Sequence, residues 1–118
     1  MAVNYNVAVK TARITATRDY FADGTLELLA GATVVATFGL SASGGTIAGD
    51  TWTLTFDAAT VAAGNAGNID GAQIKNAGGS AHITGLTVGT AGTDVIVDNT
   101  SVNAGQNITI SSASIQHA

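Results

Sequence analysis

Thr51-Trp52-Thr53-Leu54-Thr55-Phe56 alternates polar and apolar side chains at a period of two. Successive side chains of a strand point to opposite faces, so the threonines face one way and Trp52, Leu54 and Phe56 the other. That is the pattern of a half-buried antiparallel strand, and it places Trp52 and Phe56 in a core. Asp50 and Asp57 bracket the segment as turn formers. Working outward, residues 25–30 read as a strand, Gly31-Ala32 as a tight turn and residues 33–39 as the returning strand of a hairpin. Residues 41–45 read as a loop of small side chains, and residues 46–48 as a short strand running into a Gly49-Asp50 turn. The stretch 57–67 is Ala- and Gly-rich, with Val61 its one large side chain, and reads as a loop or a turn of helix. Residues 68–76 carry Ile69 and Ile74 and read as a strand broken by Gly78-Gly79. Residues 81–88 form another, with a bulge at Gly85. Residues 94–98 and 107–114 form two more around a loop that turns at Asn103-Ala104-Gly105. Ile108 and Ile110 share a face while Ile115 has the opposite parity, which calls for a bulge near Ser112 or a frayed strand end.

Residues 6–21 are the chain's one helical stretch. Val7, Ile14 and Phe21 recur every seven residues, which keeps them on one face, and Val3 joins them if the helix starts early. Asn4 or Asn6 serves as N-cap. Asp23-Gly24 stops the helix, with Gly24 supplying the left-handed residue past the end. Tyr5, Val7 and Val9 also alternate as a strand would, and Thr11, Thr15 and Thr17 lower helix propensity. Lys10, Arg13 and Arg18 flank the apolar stripe.

A chain of 118 residues is one domain, residues 1–118, with strands spread over residues 25–115. About seven or eight short strands with Gly, Asn, Asp and Ser turns favour a mainly β fold, an antiparallel β-sandwich of jelly-roll type with one short N-terminal helix. Ala, Gly and Thr make up nearly half of the residues. Small side chains bury little area, at roughly 25 cal/mol per Å². The isolated monomer is therefore expected to have limited stability, and docking on a partner or on copies of itself adds burial.

Four basic and eight acidic residues give a formal net charge of −4. Low charge with positive mean hydropathy argues against disorder. The missing basic surface argues against nucleic-acid binding, which displaces phosphate counterions. No apolar run approaches the ~20 residues of a membrane helix. The N-terminus lacks a basic stretch followed by an apolar one, so it does not read as a secretory signal. A soluble protein made in a cytoplasm is the expectation. Cysteine and proline are both absent from the sequence, which excludes disulfides and thiolate metal sites.

Residues with reactive chemistry do not converge. His82 and His117 have no second His or Cys at ligand spacing and read as surface or rim imidazoles. Asp94 and Asp98, four apart, share a strand face. Paired carboxylates can bind calcium or run acid–base chemistry, and they also mark solvent-exposed strand ends. The glycine clusters lack the GxxxxGK[ST] pattern and read as turns. No GxSxG elbow is present. Asn99-Thr100-Ser101 and Asn107-Ile108-Thr109 match a glycosylation acceptor pattern without a secretory context. Trp52, Tyr20, Phe21, Phe38 and Tyr5 would line a sugar-binding surface if exposed, but the alternation around Trp52 favours core packing. No catalytic residue, metal or cofactor is expected, and the chain does not read as an enzyme.

Five segments carry a resemblance. They are Val7-Ala-Val-Lys-Thr-Ala-Arg-Ile, Gly24-Thr-Leu-Glu-Leu-Leu-Ala-Gly, Ala36-Thr-Phe, Ile83-Thr-Gly-Leu-Thr-Val-Gly-Thr-Ala-Gly-Thr-Asp and Asn99-Thr-Ser-Val-Asn-Ala-Gly-Gln-Asn-Ile-Thr-Ile. In this order they resemble small virion structural proteins of tailed bacteriophages, over most of the chain. The resemblance implies a noncatalytic β-sandwich protein of the virion, made in the host cytoplasm. Its expected role is capsid decoration, or cement, binding across major capsid protein subunits as a dimer or trimer. The chain departs from the pattern in lacking a Pro-containing loop after the first strand, so its first hairpin is expected to be tight. Lys10, Arg13 and Arg18 are the expected partner-binding residues. A tail or head–tail adaptor component is the alternative on the same fold, and a surface carbohydrate-binding module is the alternative of another class.

Overall fold

The computed structural model describes residues 6–79 and 82–116, His82 as backbone only. Helix α1 spans Val7–Phe21. Strands β1 (Thr25–Ala30), β2 (Thr33–Ala48) and β3 (Thr51–Phe56) follow as a meander. Then come β4 (Thr60–Ala62), β5 (Gly67–Asn68), β6 (Gly71–Lys75), β7 (His82–Leu86), β8 (Val88–Gly89), β9 (Val95–Val97), β10 (Ser101–Val102) and β11 (Asn107–Gln116).

The molecule is mainly β with one N-terminal helix, as expected, and its arrangement is compatible with a β-sandwich-like fold. One sheet runs β7-β6-β1-β2-β3-β11-β9-β8, with β4 also on β11, and β5 pairs β10 separately. Its ladders are antiparallel except β8 with β9. The path nearly closes on itself. Its two ends, β7 and β8, are joined in the chain by Thr87 alone, and Thr87 is locked onto the start of β9. Thr87 N donates to Asp94 Oδ2 (3.0 Å), Asp94 N donates to Thr87 Oγ1 (3.0 Å), and Val95 N donates to Thr87 O (3.0 Å).

Alternation sets the core. Leu26 and Leu28 of β1, Phe38 and Leu40 of β2, Trp52 and Leu54 of β3, Ala72 and Ile74 of β6, and Ile108 and Ile110 of β11 are all buried in one cluster. Phe56 is a rim residue of that cluster, half-buried, with its ring edge-on to Phe38 at 5.9 Å. The Gly31-Ala32 turn is tight, with Ala30 opposite Thr33. Gly85 (φ 82) forms the expected bulge, Thr84 and Gly85 standing opposite Gln73 alone. The bulge expected near Ser112 is present as well, since Ile110 faces Val97 and Ser112 faces Ile96. It returns Ala113 to the core and lets Ile115 pack against it.

Several expectations are corrected. Residues 41–45 are part of β2, not a loop. Ser41 to Gly44 stand opposite Thr55 alone, a wide bulge that the strand crosses without ending. Ser41 Oγ and Thr55 Oγ1 (2.6 Å) share a hydrogen bond across it. The stretch 57–67 contains β4 and the start of β5. Asp23, not Gly24, takes the left-handed conformation after the helix (φ 63). Gly24 is required for another reason. A Cβ there would lie 2.0 Å from the Lys75 carbonyl oxygen, where β1 starts against β6. Val7 is 58% exposed, so the buried helix face consists of Ile14 and Phe21. Asn6 is the N-cap, its Oδ1 accepting from Val9 N at 3.0 Å. Val3, Asn4 and Tyr5 lie outside the described residues.

Candidate functional site

Helix α1 lies along the β2–β3 hairpin. Its start rests at the hairpin tip, where Thr11 Oγ1 donates to Gly49 O and Lys10 Nζ pairs with Asp50 Oδ2 at 4.0 Å. Its end crosses the wide bulge, where Arg18 packs against Gly44 and its Nη1 reaches Gly45 O at 3.5 Å. A side chain on Gly44 would meet Arg18 Cγ at 3.1 Å, so the glycines of the bulge admit the helix.

The three basic residues of the helix do not share one surface. Lys10 and Arg18 bracket the buried face, with side chains only about a quarter exposed, and both carry carboxylate partners, Asp50 and Asp19. Arg13 is on the solvent side. There it joins a stripe that spacing alone brings together: Val9, Ala12, Ala16 and Tyr20 are all exposed, at i, i+3, i+7 and i+11. Among the described residues, the large apolar side chains left exposed are Val7, Val9 and Tyr20, all on this helix. The helix thus carries apolar side chains on its outer face as well as on the face that meets the β core. The stripe is legible from its spacing, but Val7, Ile14 and Phe21 already supply an apolar face and mask it.

The other candidates are structural. Asp94 is the lock on Thr87 described above. Asp98 Oδ1 accepts from Thr109 N at 3.1 Å, and Asp98 N donates to Thr109 O at 3.1 Å, which ties β9 to β11. Asp50 joins the hairpin tip to both α1 and the end of β11, accepting from Gln116 Nε2 at 3.3 Å. Asn99 Oδ1 accepts from Ser101 N at 3.0 Å, an Asx turn before β10. Among the described residues no group of three or more His, Asp or Glu is placed to hold a metal ion. The His82 side chain and His117 lie outside them. Trp52, Phe38 and Phe21 are buried, so of the five aromatics considered for a sugar surface, only Tyr20 is exposed among the described residues. A half-buried cross-strand group joins β1 to β6, where Glu27 Oε1 accepts from Gln73 Nε2 at 2.6 Å and pairs with Lys75 Nζ at 3.2 Å.

The seam where the sheet falls short of closure is a cleft of about 260 Å³, walled by Ile83 to Leu86 on β7 and by Ile115 and Gln116 on β11. Asp94 is its one acidic lining residue, and its carboxylate is engaged with Thr87. No helix among the described residues is long and apolar enough to cross a membrane.

No protein-family model matches the sequence, and neither a curated protein nor a solved structure is similar to it at the level of significance required.

Proposed function

We propose that the protein is a virion structural protein of a tailed bacteriophage, a capsid decoration protein that attaches to major capsid protein subunits and reinforces the shell. The structural observation that supports an attachment role is the outer face of α1. Val9, Ala12, Ala16 and Tyr20, with Arg13 at their edge, form an exposed apolar stripe on a helix held against a β scaffold. Exposed large apolar groups gathered on one element mark an interaction surface more than scattered ones do. Tyr and Arg are enriched among residues that dominate binding energy. A single helix face is a small footprint, and repetition over a shell lattice multiplies a weak contact by avidity.

Co-sedimentation with empty phage heads tests the proposal. Wild-type protein is expected to pellet with the heads in a saturable manner. The double variant Arg13→Glu/Tyr20→Ser is expected to lose occupancy while still unfolding in one cooperative urea transition. Reversing Arg18 would disturb its contacts on β2, so it is left unchanged. Unchanged occupancy of the double variant refutes the assignment of the surface, and absence of wild-type binding refutes the function.

A further inference from the structure

The attachment of α1 to the rest of the molecule is uneven along its length. Between residues 7 and 17 the one buried side chain is Ile14. The second buried anchor, Phe21, is at the far end, and the chain just after it is pinned. Gly24 N donates to Phe21 O (2.9 Å), Asp23 N to Ser41 O (3.2 Å) and Leu40 N to Gly24 O (2.9 Å). At the near end the contacts are polar and half-exposed: Thr11 with Gly49 O, and Lys10 with Asp50. Water replaces such contacts at little cost.

The helix itself is a weak one. Six of its fifteen residues are β-branched (Val7, Val9, Thr11, Ile14, Thr15, Thr17), and its first turn carries no acid to complement the helix dipole. A helix of this length is marginal in water without tertiary packing.

We propose that residues 7–17 form a releasable strap. They lift from the β2–β3 hairpin as one unit while the β core stays folded, and the pinned segment Phe21 to Gly24 serves as the pivot. Lifting withdraws one large side chain, Ile14, from the core and leaves every strand ladder intact. It uncovers the tip of the hairpin at Gly49 and Asp50, while Arg18 stays over Gly44. The proposal is independent of the phage reading and holds whatever meets the outer face of α1.

Native-state hydrogen exchange on the whole protein tests it, with urea raised from zero to below the unfolding midpoint. Segments with few buried contacts open below the global free energy and expose little surface in doing so. The amides of residues 11–17 are expected to share one protection level, at least about tenfold below that of β3 and β11, with a shallow urea dependence. Protection and urea slope equal to those of β3 and β11 would overturn the proposal. So would a gradient of protection along the helix, which is fraying and not the release of a unit.

Discussion

Trp52 donates its indole N–H to the carbonyl oxygen of Gly44 at 2.9 Å, with the ring fully buried. The bond ties the start of β3 to the wide bulge of β2, and that bulge receives the end of α1. A buried carbonyl deprived of its donor costs about 1–3 kcal/mol, and the smaller ring adds a cavity. Trp52→Phe should therefore lower stability by about 2–4 kcal/mol, read as a lower urea midpoint at unchanged slope. Thr53→Val, next in the strand on the exposed face, should stay within about 0.5 kcal/mol of wild type.

Glycines 24 and 31 should respond differently to the same substitution. A methyl group at position 24 meets the Lys75 backbone oxygen at 2.0 Å, while at position 31 it meets nothing within 4 Å and suffers only the left-handed backbone (φ 61). Gly31→Ala should cost about 1–2 kcal/mol. Gly24→Ala must separate the start of β1 from the end of β6, and should cost about 3 kcal/mol or more. Thermal melts of the two variants compare them directly, and equal losses would contradict the packing described at Gly24.

Glu27 and Lys75 form a cross-strand ion pair that keeps partial contact with water. A double-mutant cycle with Glu27→Gln and Lys75→Met should give a coupling of about 0.5–1 kcal/mol, in the range of partly exposed pairs. Most of it should disappear in about 1 M NaCl, where the screening length falls to a few ångströms. A coupling that survives such salt would mean the pair is shielded from solvent.

How much of this was legible in the sequence depended on whether large side chains were present to carry a period. Thr51–Phe56 shows its strand and its core face because Trp52, Leu54 and Phe56 sample alternate positions. Gly85 and Ser112 could be assigned to bulges because Ile83, Leu86, Ile110 and Ile115 fix the parity on either side. Between Ser41 and Gly45 every side chain is small, so the continuation of β2 left no trace. The same holds for β4 and β5, drawn from an Ala- and Gly-rich stretch. The surface of α1 was only half legible. Spacing separates Arg13 from Arg18 but not from Lys10, and which face turns to solvent is decided by the hairpin beneath. The roles of Asp94 and Asp98 depend on Thr87 and Thr109, which the fold brings to them and local sequence does not reveal.

The central claim is that the outer face of α1 is the surface by which this protein meets a shell. Site-specific photo-cross-linking on reconstituted particles tests it most directly, with a photoreactive phenylalanine placed at Tyr20 and, as control, at Gly79 in the open turn after β6. The account predicts a cross-link to the major capsid protein from position 20 and none from position 79. Equal cross-linking from both positions, or cross-linking from position 79 alone, would contradict it.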